Sequence, residues 1–129
     1  MRRLSIATLR AAWWADRAAA RVRRRLISDG LSGVGPVSLP PPLPPEAGRV
    51  VEAVLRRRGR TCLERAPVLQ AWHAAGGTPR DVVIGVARSE PGFRAHAWLD
   101  GDPSVRESEF EVLRRQPPVH VDAGASSLT

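Results

Sequence analysis

The sequence contains no lysine, no tyrosine and no asparagine, and a single cysteine, Cys62. One thiol excludes an intramolecular disulfide and any zinc site built from several cysteines. It suits a reducing compartment. The only histidines are His73, His96 and His120, too few and too scattered for a metal site. No apolar run approaches the roughly eighteen residues that a membrane span requires, so none is expected. The start, Met1-Arg2-Arg3-Leu4, has the charge of a secretory n-region. Thr8, Arg10, Asp16 and Arg17 then interrupt any apolar segment behind it. The expected location is the cytoplasm. No phosphate-cradling glycine loop occurs, and no cofactor is expected.

With 129 residues the chain has room for one domain and an arm, and its 43% hydrophobic content supports a modest core. All 20 basic residues are arginine, which reads as codon bias. The formal net charge of +7 asks for an acidic partner: nucleic acid, an anionic membrane or an acidic peptide.

Apolar residues at Leu4, Ala7, Ala11, Trp14, Ala18 and Val22 predict a helix over residues 3–27. Its tryptophans, Trp13 and Trp14, dock it on the domain while its arginines face solvent. A glycine- and proline-rich spacer follows over 28–45, extended and semi-rigid, crossing the domain surface. A second helix is predicted from Glu46 to about Arg57, with Val50, Val51, Val54 and Leu55 on its apolar face. A third begins at Thr61 or Cys62, capped by Thr61, and reaches about Ala75. Pro67 strains it from within, and Gly76-Gly77-Thr78-Pro79 ends it. The period then changes to two. Strands are predicted over 81–87, central because of its apolar run, over 93–99, and over 104 to about 113. Asp100-Gly101-Asp102-Pro103 reads as a hairpin turn joining the last two. The fold class is α+β, with a helix-first, antiparallel-sheet-second order and a loose tail from Pro117.

The chemistry converges on two positions. Cys62 stands at a helix N-terminus, where the dipole and unpaired N–H groups favour thiolate and can hold an oxyanion. Arg60 and Arg65 are expected to reinforce that field. His96 lies in a strand between two alanines, a position that the helix can approach closely. A two-residue turn at Gly101 and Asp102 would pair His96 with Glu107 on one face, making Glu107 the expected orienting acid and Glu109 its diagonal rival. His73 and His120 are weaker candidates for the base. A lone thiol, a histidine and a carboxylate are the parts of a cysteine nucleophile.

Cys62-Leu63-Glu64-Arg65, then Val83-Ile84-Gly85-Val86, then Gly92-Phe93-Arg94-Ala95-His96-Ala97-Trp98-Leu99 resemble the lasso-peptide leader peptidases. These are members of the transglutaminase-like superfamily, and the resemblance covers about residues 48–115. It implies a papain-like core in which a cysteine-bearing helix packs on a small antiparallel sheet. It implies a cysteine protease that removes the leader from a ribosomally made precursor peptide, so that a macrolactam-forming cyclase can close the ring. A separate leader-recognition protein is the implied partner. Cys62 and His96 match the family's nucleophile and base. The family's third residue is usually aspartate after the His-Ala-Trp strand, and this chain has none between Pro103 and Val121. Glu107 is the expected replacement.

The expected organisation is an N-terminal helix and linker over 1–45, a peptidase core over 46–116 and a flexible tail over 117–129. The arm is expected to dock the partner protein, and its deletion to leave the core folded. Three other readings stay open: a transglutaminase-like acyl transferase or amidase on the same fold, a basic nucleic-acid-binding module, and a leader-binding scaffold without catalysis. No groove-reading motif supports the nucleic-acid reading.

Overall fold

Ser5 opens the described part of the chain. Its Oγ accepts the Thr8 N–H at 3.0 Å and caps helix α1 (Ile6–Asp29). The computed structural model describes residues 5–88 and 94–119. Two short 3-10 turns, Gly30–Gly33 and Pro45–Ala47, bracket the proline-rich run. Helix α2 (Gly48–Arg57) and helix α3 (Cys62–Ala75) follow, then strands β1 (Val82–Ala87), β2 (Ala95–Leu99) and β3 (Phe110–Gln116). The chain is α+β, as its change of period predicts.

The helical part has one core. Ala11, Ala15, Ala18, Ala19 and Val22 of α1 pack with Val51 and Leu55 of α2 and with Val68 and Ala71 of α3. The five α1 residues in this set are small, which lets the helices approach closely. The spacer contributes too. Val37 is buried in the same cluster, with Leu39 and Leu43 packed against it. Val34 joins a second cluster, beneath the sheet. The segment 34–44 therefore crosses the surface as expected, and it also seals both cores. Helix α1 and the segment after it are packed into these cores. The helix fills the space that α2 and α3 would otherwise open to water.

Both pairings in the sheet are antiparallel, and the strand order is β2-β1-β3. The apolar run Val82-Val83-Ile84 is buried on both faces because β1 is central, as predicted. Val82, Ile84, Ala97 and Leu99 face α3, where Ala66 completes the second cluster. The predicted hairpin is corrected by this order. β2 and β3 lie on opposite sides of β1, and residues 100–109 carry the chain from one edge to the other. Gly101 still turns there with φ +86°, and Asp102 accepts the Ser104 N–H and hydroxyl at 2.9 and 2.7 Å. These bonds shape a corner rather than a two-residue hairpin.

Gln70 locks α3 to the sheet. It is 1% exposed, and its Nε2 donates to the carbonyls of Arg80 and Gln116, both at 2.9 Å. One side chain thereby joins the helix to the entry of β1 and the exit of β3. Pro67 is buried inside α3, which nevertheless continues to Ala75. The missing N–H leaves the Leu63 carbonyl without its intrahelical donor, a cost the surrounding packing absorbs. Among the described residues no helix is long and apolar enough to cross a membrane.

Removing residues 1–45 exposes Val51, Leu55, Val68 and Ala71 together. The truncated chain is expected to lose cooperative thermal unfolding followed by circular dichroism. The milder Leu55→Ala should retain a transition and lose about 2–5 kcal/mol.

Candidate active site

The reactive end of α3 is built locally. Thr61 stands before the helix with extended backbone, and Glu64, three residues on, reaches back so that its Oε1 accepts the Thr61 N–H at 3.1 Å. Glu64 is 6% exposed, so this bond is made where water competes poorly. The N–H groups of Glu64 and Arg65 are bonded to the Thr61 carbonyl. Those of Cys62 and Leu63, at the first two helical positions, have no intrahelical acceptor. Cys62 therefore sits where backbone donors converge.

The thiol is half-buried and meets strand β2. Its Sγ accepts the N–H of Ala97 at 3.4 Å. That nitrogen belongs to the peptide bond leaving His96, so the thiol meets the backbone beside the second sequence-predicted residue. His96 pairs with Gly85 of β1. Its ring packs edge-on against Phe110 of β3, centroids 5.3 Å apart. Phe110 also packs against Trp98, at 4.8 Å. The imidazole thus rests on an aromatic shelf built from the two outer strands.

Gly85 makes that shelf possible. A Cβ there would lie 2.8 Å from the Glu111 carbonyl oxygen and 3.2 Å from the Trp98 ring. Beside it the β1–β3 register shifts, Ile84 pairing with Arg114 and Gly85 with Val112, which leaves Leu113 as the extra residue of a bulge. Bulge and glycine together let Trp98 and Phe110 meet across the central strand. Neither Gly85 nor Phe110 was expected at the site. The glycine inside an otherwise apolar strand is the signal that could have found it.

Glu107 is placed differently from its expectation. The register that made it the cross-strand partner of His96 is overturned by β1, whose Gly85 occupies that place. Glu107 opens a 3-10 turn (Glu107–Glu109) ahead of β3, and its carboxylate accepts from Arg115 at 2.7 Å. Arg115 also pairs with Asp100 at 3.3 Å. Its two carboxylates hold the Arg115 pKa above its ordinary value, through the Asp100 hydrogen bond first. Glu109, the rival, lies 3.8 Å from Arg106.

Arg60 ties the loop before Cys62 to α1. Its guanidinium turns to Asp16 of α1 at 3.1 Å, and Arg58 joins the same oxygen at 3.1 Å. The Arg60 side chain is only 9% exposed. Arg65 in turn donates to the Arg60 carbonyl at 3.1 Å. These arginines hold the loop that leads into Cys62. His73 lies in the last turn of α3 among the residues of the proline-rich run, and His120 falls outside the described residues. Among the described residues no cluster of three metal-ligating side chains occurs.

Two outcomes are expected. Gly85→Ala forces the Glu111 carbonyl or Trp98 to move, costing about 1–3 kcal/mol in chemical denaturation and loosening the His96 ring, read as broadened imidazole resonances. For His73, burial first and Arg80 second lower the pKa below its ordinary value, against an opposing pull from Glu52. The unfolded chain then takes up this proton more readily than the folded one. That contribution to stability is present above about pH 6.5 and is lost as pH falls through the depressed folded value. His73→Gln should flatten the pH dependence of the melting temperature over that window.

A family model described as the transglutaminase-like superfamily matches residues 3–116. Comparison with curated proteins and with solved structures gives no match. The matched span takes in α1 as well as the cysteine helix and all three strands, in keeping with the shared helical core. A thiol at a helix N-terminus, seated on the strand that carries a histidine, is the arrangement this span builds, and the chain belongs to the transglutaminase-like superfamily.

Proposed function

We propose that the chain is a cysteine peptidase that removes the leader from a ribosomally synthesised lasso-peptide precursor. The observation that carries the chemistry is the Sγ of Cys62 held 3.4 Å from the Ala97 N–H, one peptide bond from His96. The sequence resemblance through Cys62-Leu63-Glu64-Arg65 and Ala95-His96-Ala97-Trp98 supports the choice of substrate.

In this reading His96 takes the Cys62 proton, and the sulfur attacks the carbonyl at the leader–core junction. The tetrahedral oxyanion is received by the first-turn N–H groups of α3. The carbon–nitrogen bond breaks as His96 returns its proton to the leaving amine. Water then adds to the thioester, releasing the leader's new carboxylate and restoring the thiol. The aromatic shelf orients the imidazole. Glu107 enters this scheme through Arg115, as a support for the turn that presents Phe110. A separate leader-recognition protein would bring the precursor, and a macrolactam-forming cyclase would use the freed core peptide.

The same first half-reaction serves acyl transfer when an amine replaces water, so product masses decide between the two. Incubating the precursor with the chain and its leader-binding partner should give two fragments whose masses add to that of the precursor plus one water. Cys62→Ala and His96→Ala should each lower the rate by about 10³-fold or more. Glu107→Gln should cost far less. A mass that shows an amine adduct would establish the transferase, and undiminished cutting by Cys62→Ala would remove the thiol from the mechanism.

A further inference from the structure

The outward face of α1 holds a feature that peptidase chemistry does not use. A groove of about 410 Å³ runs between α1 and the extended segment after it, lined among others by Arg10, Trp13, Trp14, Arg17, Arg21 and Ser38. Among the described residues no carboxylate lines it. Trp14 forms its wall and is fixed in place, its Nε1 donating to the Ser38 carbonyl at 3.2 Å and its ring lying 6.2 Å from that of Trp72. Trp13 stands at the rim, 65% exposed, with the Arg17 guanidinium 4.7 Å above its ring. Ile6 and Leu9, 76% and 55% exposed, extend the apolar stripe along the same helix. Among the described residues Arg10, Arg17 and Arg21 have no carboxylate partner, whereas Arg58, Arg60 and Arg115 do.

We infer that this groove is a docking site for an acidic peptide segment carrying an apolar side chain. The charge calls for carboxylates, and the concave apolar wall calls for a side chain that enters it. A planar lipid surface would meet Ile6, Leu9 and Trp13 but would not fill the recess beside Trp14. Arg17 already covers one face of Trp13, which narrows the stacking room for a nucleobase. An acidic peptide satisfies both halves at once, its carboxylates on the arginines around the rim and its apolar residue between Trp13 and Trp14. The inference stands apart from the proposed peptidase activity, since the groove contains neither Cys62 nor His96.

The test is fluorescence polarisation with a labelled peptide in which glutamates flank a leucine pair. Trp13→Ala and Arg17→Ala, both at exposed positions, should keep the melting temperature and weaken binding by about tenfold each. A polyglutamate peptide of equal length should bind about tenfold more weakly than the leucine-containing one. Cys62→Ala should bind as the wild type does. Equal binding of polyglutamate, indifferent to Trp13→Ala, would reduce the groove to bulk charge and overturn the proposal. So would loss of binding in Cys62→Ala, which would move the peptide to the thiol. Binding to phosphatidylserine vesicles or single-stranded DNA that both variants abolish, with no peptide binding, would assign the surface to another class of partner and overturn it as well.

Discussion

Everything at the thiol depends on α3 being gripped from two sides. Val68 and Ala71 belong to the helical core, Ala66 to the core beneath the sheet, and Gln70 bonds the carbonyls at the entry of β1 and the exit of β3. A helix held by only one of these could slide or roll. Held by both, its first residue has one place to go, against the backbone of β2. Positioning to a fraction of an ångström matters here because the sulfur must serve both as nucleophile and as neighbour to the histidine strand. The grip also explains why a proline is tolerated inside this helix. Its orientation is fixed by tertiary packing, and one missing intrahelical bond is a small term beside that.

Charge reinforces the grip at the loop before Cys62. Asp16, on α1, accepts from both Arg58 and Arg60, and Arg65 then bonds the Arg60 carbonyl. Arg60 is nearly buried, so removing Asp16 would strand a cation where water cannot reach it well. The contact ties the first helix to the residues next to the nucleophile. It gives a physical reason for α1 to be part of the family's matched span.

Much of this was legible from the chain. Thr61 announces a helix start, Gly76 and Gly77 a stop, and the shift from three- and four-residue spacing to the unbroken run at Val82-Val83-Ile84 marks a central strand. The placements of Cys62 and His96 were legible because each has a local backbone role: a helix start and a strand between alanines. The carboxylate was not. Its assignment rested on pairing β2 with β3, and turn residues alone cannot tell a tight hairpin from a corner that leads the chain past a third strand. What buries the first helix was less legible: alanine-rich spacing reads as a helix but says little about what covers it, and the partners that bury Ala15 and Ala19 lie far along the chain in α2 and α3.

The histidine's surroundings show how a three-stranded sheet can seat a ring over its middle strand. His96, Trp98 and Phe110 come from the two outer strands and meet over the middle one. That requires the middle strand to present nothing at that point and the third strand to bend toward it. Gly85 meets the first condition and the bulge at Leu113 the second. An acid at the facing position would need a side chain where Gly85 has none, and adding even a methyl group would collide with the Glu111 carbonyl. The β1 position paired with His96 therefore serves the aromatic packing, while Glu107 bonds Arg115 and supports the turn that delivers Phe110.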